Sequence, residues 1–182
     1  METFEVKNGK ITLSDPCYDL STTCMIKDVK FPNGIYRVDI REYDSPSWGK
    51  RVAELIIYNI NKVPENEGKE MDILWKEIEG EVGVDSGQAG IYDAIYYELH
   101  HSENDIDEDW YDEICDLTYG KKHYGTKDDS CVVSSSGFGD GGYQAFLGYL
   151  GEEIVGAKIE FIPEDYDEDV EDDEFADYEE EF

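Results

Sequence analysis

Residues 130–162 read SCVVSSSGFGDGGYQAFLGYLGEEIVGAKIEFI, and how this stretch is parsed decides the fold. Three runs in it, SCVVSSSGF (130–138), GYQAFLGYL (142–150) and EIVGAKIEFI (153–162), are rich in β-branched and aromatic residues, with GDG and GEE between them. Short apolar runs punctuated by glycine predict strands joined by tight turns, here a β-meander. The same reading extends toward the N-terminus. RVAELIIYNI (51–60) reads as a buried strand, and GIYRVDIREY (34–43) as a strand after the Pro32-Asn33-Gly34 turn. FEVKNGKITL (4–13) predicts a hairpin, because Asn-Gly suits a two-residue turn with positive φ at both central positions. EVGVDSG (81–87) reads as a strand ending in a turn.

Two stretches read as helix. In DIDEDWYDEICDLT (105–118), Ile106, Trp110, Ile114 and Leu117 recur on one helical face, and the acids of the first turn complement the helix dipole. IYDAIYYELHH (91–101) can be read as helix or strand, and is assigned to a helix. Strands outnumber helices, so the expected class is α+β: a mainly antiparallel β-sheet of meander and hairpins with one or two short helices. The expected organisation is a single β-rich domain, 1–163, and an acidic, mobile C-terminal tail, 164–182, which has too few apolar residues to pack alone.

Charge is the strongest compositional signal. Forty-six Asp and Glu against fifteen Lys and Arg give a formal net charge of −31. The tail holds thirteen acids and no base, and the remaining body is still at −18. Direct phosphate-mediated nucleic-acid binding is therefore not expected, since it rests on Lys and Arg. The expected partner is a basic protein surface, such as a nuclease or another nucleic-acid-binding protein. The acidic residues expected to meet it are Asp105, Asp107, Glu108 and Asp109 in the body, and Asp165, Asp167, Asp169, Glu171, Asp172 and Asp173 in the tail. A helical tail would space its charges by about 2 Å and an extended one by about 5 Å, which brackets the ~3.4 Å of a single nucleic-acid strand. No run approaches the roughly 18 apolar residues of a membrane span. METFEVKNGK has no apolar signal core. A cytoplasmic protein is expected, either monomer or dimer.

Chemistry could reside in three small-residue turns that each carry an aspartate: SDPCY around Asp15, VDSGQ with Asp85 and Gln88, and GDGGY with Asp140. In one reading these turns converge on a rim where Asp15, Asp85, Gln88 and Asp140 contact a small ligand, giving a binding protein or an enzyme. In the other, each aspartate caps its own turn and glycine supplies positive φ. SGFGDGGY (136–143) is on this second reading a strand–turn–strand.

LSDPCY, VGVDSGQAGIYD and SGFGDGGYQAF together resemble an uncharacterised family of bacterial and bacteriophage proteins that pair a V-D-[SA]-G motif with a later S-G-[FW]-G-D-G-x-Y segment. The resemblance covers residues 80–162 and part of the N-terminus. It implies a β-rich fold and a microbial or phage origin, hence the host cytoplasm if phage-encoded, and it transfers no activity. With the charge, it leads to the expectation of an inhibitor of a defence nuclease, of anti-CRISPR type, or of a toxin-immunity protein.

Other patterns fail on their spacing. DIDED and DYDED imitate the start of a calcium loop, but lack Gly at position 6 and Glu at position 12. GFGDGG lacks the helix that phosphate binding needs. Cys17, Cys24, Cys115 and Cys131 form no C-x-x-C pair, and His100, His101 and His123 form no H-E-x-x-H. No metal, cofactor or catalytic residue is assigned.

Overall fold

The structure, a computed structural model, describes residues 1–168. It is an α+β fold dominated by antiparallel strands. In chain order they are β1 (Thr3–Val6), β2 (Lys10–Ser14), β3 (Ile26–Lys30), β4 (Gly34–Ser45), β5 (Gly49–Asn59), β6 (Leu74–Glu77), β7 (Val82–Val84) and β8 (Gln88–Asp93). Helices α1 (Ala94–His100) and α2 (Glu108–Thr118) follow, then β9 (Tyr124–Lys127), β10 (Cys131–Ser135), β11 (Gly141–Leu150) and β12 (Glu153–Glu160).

The strands form two sheets. The larger has seven, in the order β1-β4-β5-β12-β11-β6, with β7 pairing farther along β11. The smaller has five, in the order β3-β2-β8-β10-β9. Alternation along each strand sends one set of side chains between the sheets. Phe4, Val6, Ile11, Leu13, Tyr36, Leu55, Ile57, Ile91, Val132 and Ile159 meet there as the main core. A second core, with Tyr92, Cys131 and Val133 of the smaller sheet against Tyr96, Tyr97, Trp110 and Ile114, seats both helices on that sheet's outer face. A third, smaller core caps the outer face of the large sheet, where Ile56, Tyr58 and Val155 meet Val63 and Ile73 of the 60–73 connection.

Three local expectations change. The Asn8-Gly9 turn forms no hairpin: β1 pairs with β4 in the large sheet, whereas β2 pairs with β3 and β8 in the small one. Only Gly9 takes positive φ, at 72°. The corner is held from outside itself, since the Asp93 carboxylate accepts from the Lys7 and Asn8 amides and Asn33 Oδ1 accepts from the Gly9 amide. Nor is SGFGDGGY a strand–turn–strand. β10 ends in the small sheet and β11 begins in the large one, so the glycine-rich segment carries the chain from one layer to the other. Gly137 has φ 55° there, and a Cβ on it would lie 3.0 Å from Phe161 Cβ. Only the β11–β12 half of the expected meander is a hairpin. Finally, IYDAIYYELHH is half strand. Asp93 stops β8 and caps α1, accepting from the amides of Ile95 and Tyr96.

The segment after Pro163 touches the body. Tyr166 packs edge-on against Tyr43, and Glu168 Oε2 accepts from Ser45 Oγ at 2.8 Å. Among the described residues no helix is long and apolar enough to cross a membrane.

Candidate functional site

Two regions compete: the aspartate turns and the helical face. At the turns, the backbone does bring the three segments to one end of the molecule. The Ser136 amide donates to Gly87 O, and Gly141 pairs with Val84, the residue before Asp85. The side chains are differently engaged. Asp15 is fully buried, and its carboxylate accepts from the amides of Cys17 (2.8 Å), Asp85 (2.8 Å) and Ser86 (2.7 Å) and from Ser86 Oγ (2.7 Å). It binds the first two turns to each other. Gln88, also buried, reaches α2 instead, accepting from Thr118 Oγ1 at 3.0 Å and donating to Cys115 Sγ at 3.3 Å. Asp85 is exposed and accepts from Tyr18 Oη at 2.9 Å, while Asp140 is exposed at the mouth of the crossover. Burial, and then the bond to Asp85, push the Tyr18 hydroxyl pKa up. Burial and the Asp15 carboxylate likewise push the Cys17 thiol pKa up, away from the reactive thiolate.

The helical face is built otherwise. α1 and α2 each turn their aromatic side to the small sheet, so their polar residues face out. Between Glu98 and Asp116 the chain exposes nine carboxylates, and between Ala94 and Gly120 it has no Lys or Arg. Asp105, Glu108 and Asp109 lie there as separate exposed acids. Asp107 caps α2, accepting from the Trp110 amide, and also pairs with His100 at 2.9 Å. The His100 bond holds the Asp107 carboxyl below the usual carboxylate range. His100 lies flat on Trp110, centroids 5.0 Å apart. Two adjoining depressions share the His100–Asp107 pair. One, about 260 Å³, is lined by Leu99, His101, Asp105 and Ile106. The other, about 310 Å³, is lined by Asp109, Trp110, Glu113, Lys127 and Asp128. Lys127 reaches in from β9 and pairs with Glu113.

His101 anchors this face to the aspartate turns. Its ring stacks on Tyr97 at 3.8 Å, Nε2 lies 2.9 Å from Pro16 O, and Nδ1 lies 2.7 Å from Tyr97 O. Burial pulls its pKa down. Among the described residues no group of three or more His, Cys, Asp or Glu is placed to hold a metal ion.

Of the acidic residues singled out in the sequence, Asp105, Asp107, Glu108 and Asp109 fall on this face. Asp165 and Asp167 sit beyond Pro163 near Tyr166, and Asp169, Glu171, Asp172 and Asp173 lie outside the described residues. Residues that the sequence reading missed include Asp93, the joint between the sheets and α1, and the exposed pair Ile95 and Leu99. An aspartate directly before AIYYELH is an N-cap signal that would have separated β8 from α1.

The chain belongs to the DUF4241 family, described as proteins of unknown function, whose model matches residues 4–157. No curated protein and no solved structure matches it.

Proposed function

We propose that the chain is an acidic interaction protein that lays its α1–α2 face on a basic, nucleic-acid-binding surface of a partner and blocks it. In its most concrete form the partner is a nuclease, and the role is phage anti-defence of anti-CRISPR type or neutralisation of a toxin. The observation that carries the reading is the face itself: nine exposed carboxylates between Glu98 and Asp116, with no Lys or Arg between Ala94 and Gly120. Folding does not ask for this arrangement. Glu98 and Asp116 stand in the last turns of their helices, where the dipole favours cations, and α2 has no base in its last turn. A concentrated anionic face speeds encounter with a cationic partner and repels nucleic acid. The second reading, a small-ligand site at the aspartate turns, draws less support, because the Asp15 carboxylate already has four donors and Gln88 is engaged with α2.

The test is competition. Fluorescent DNA is bound to each of a panel of basic nucleases, RNA-guided ones included, and displaced by the chain at low and high salt. Displacement of DNA from one nuclease is expected, at least ~10-fold weaker at 300 than at 50 mM salt, as Debye screening shortens. Glu98→Gln, Glu103→Gln, Asp112→Asn and Asp116→Asn combined should abolish it, and removing residues 164–182 should reduce it. Displacement indifferent to both salt and these substitutions would overturn the reading.

A further inference from the structure

α1 is patterned oddly for a surface helix. Ala94, Tyr96 and Tyr97 are buried against the small sheet, yet the opposite side presents Ile95 and Leu99, 47% and 73% exposed. Residues four apart are neighbours on a helix, so the two form one aliphatic patch. Leu99 extends that patch into the depression of about 260 Å³, whose wall includes Ile106 and whose rim carries Asp105 and Asp107. A cavity of about 150 Å³ takes a benzene ring, so the depression has room for an apolar side chain. Apolar surface ringed by charge is the usual build of a protein-docking site, with a desolvated centre and a polar rim.

We infer that this face receives a cationic amphipathic helix of the partner. This rests on the acidic-interaction reading above and deepens it, naming the element that is recognised. Charge complementarity selects the occupant. A Lys- or Arg-rich helix with apolar residues at i, i+3, i+4 and i+7 places its apolar stripe on Ile95 and Leu99, one side chain entering the depression. Its basic flanks then meet Glu98, Glu103 and Asp105. A neutral helix would leave those acids facing an apolar rim, and a purely cationic strand would leave the aliphatic patch wet.

The experiment uses the full chain and two fluorescein-labelled peptides of equal charge, one an amphipathic Lys/Leu helix and one an oligolysine, read by anisotropy at low salt. The amphipathic peptide should bind at least ~10-fold more tightly than oligolysine. Ile95→Ser with Leu99→Ser should remove that advantage and leave oligolysine binding unchanged. Both positions are exposed, so the fold should survive, which a melting curve checks. Equal binding of the two peptides, insensitive to the serine pair, would overturn this inference while leaving the charge-based reading standing. Failure of both peptides to bind would overturn the inference and count against that reading too.

Discussion

The outer faces of the two sheets carry charge in opposite ways. On the large sheet, the buried acids and bases are paired. Glu54, 4% exposed, receives Arg41 Nε at 2.9 Å and Lys158 Nζ at 2.5 Å. Arg37, also buried, bonds Val63 O and Glu70, lies 4.4 Å over the Tyr58 ring, and so pins the 60–73 connection. On the helical side of the small sheet the acids have almost no cations among them. The first arrangement is what stability requires, because a buried charge must be compensated. The second works against stability through self-repulsion, and only solvent and salt relieve it. The lesson is that in so acidic a chain the informative carboxylates are the uncompensated ones, and the α1–α2 face carries a run of them at Glu98, Glu103, Asp105, Glu108, Asp109, Asp112 and Asp116.

The contrast is broken most directly at Glu54. Glu54→Ala leaves Arg41 and Lys158 without their shared partner, and should cost about 3–5 kcal/mol in urea unfolding. A loss under 1 kcal/mol would mean that the large sheet is not held together by this pairing. Next in size is Asp15→Asn. The amide cannot accept from all the donors now bonded to Asp15, so a loss of about 1–3 kcal/mol is expected. If Asp15→Asn were instead neutral to stability, the turn-bracing role argued for it would fail, and the small-ligand reading of that rim would regain ground.

These two residues also show how much was legible in the sequence. Strand runs, the α2 face and the α+β class were readable because hydrophobic period is a local property. Which sheet a strand joins is not local. Asn8-Gly9 and Gly139-Asp140-Gly141 both look like hairpin turns, and both carry the chain between layers, because partners 24 to 86 residues away (Asn33 and Asp93 for the first) decide where the chain goes. Asp15 was legible as a turn aspartate. That it braces a second turn 70 residues later was not. The acidic groups of α2 were found by composition alone, whereas Ile95 and Leu99 were hidden inside a run in which helix and strand were not told apart.

The third prediction concerns the uncompensated face. Glu98→Gln, Asp112→Asn and Asp116→Asn together should leave stability unchanged or raise it by up to about 1 kcal/mol, since two of the three relieve a helix C-terminus. The wild-type melting temperature should climb with added salt more than that of the variant, because screening substitutes for neutralisation. A clear destabilisation would show that these acids serve the fold, and the contrast between the two faces would dissolve.

The smallest effect is expected at the joint between the two candidate regions, His101. Its folded-state pKa lies below the ordinary 6.5, chiefly through burial. The folded state therefore binds the proton less readily than the unfolded one, so the contribution of His101 is complete above about 6.5 and is lost as the pH falls below it. Each ring nitrogen faces a carbonyl oxygen, of Pro16 or of Tyr97, and both bonds raise the pKa against the burial, as the Asp107 charge does more weakly. The neighbouring His100 opposes them and adds to the downward pull of burial. His101→Gln keeps one donor and removes the titration. The stability difference between wild type and His101→Gln should then shrink between pH 7.5 and 5, while the general relief of acidic self-repulsion affects both chains alike and cancels. A difference that instead grows toward pH 5 would mean that His101 is held as an imidazolium donating to both carbonyls. The joint between the acidic face and the Asp15 turn would then be a buried cation, and the anionic face would have one compensating charge beneath it.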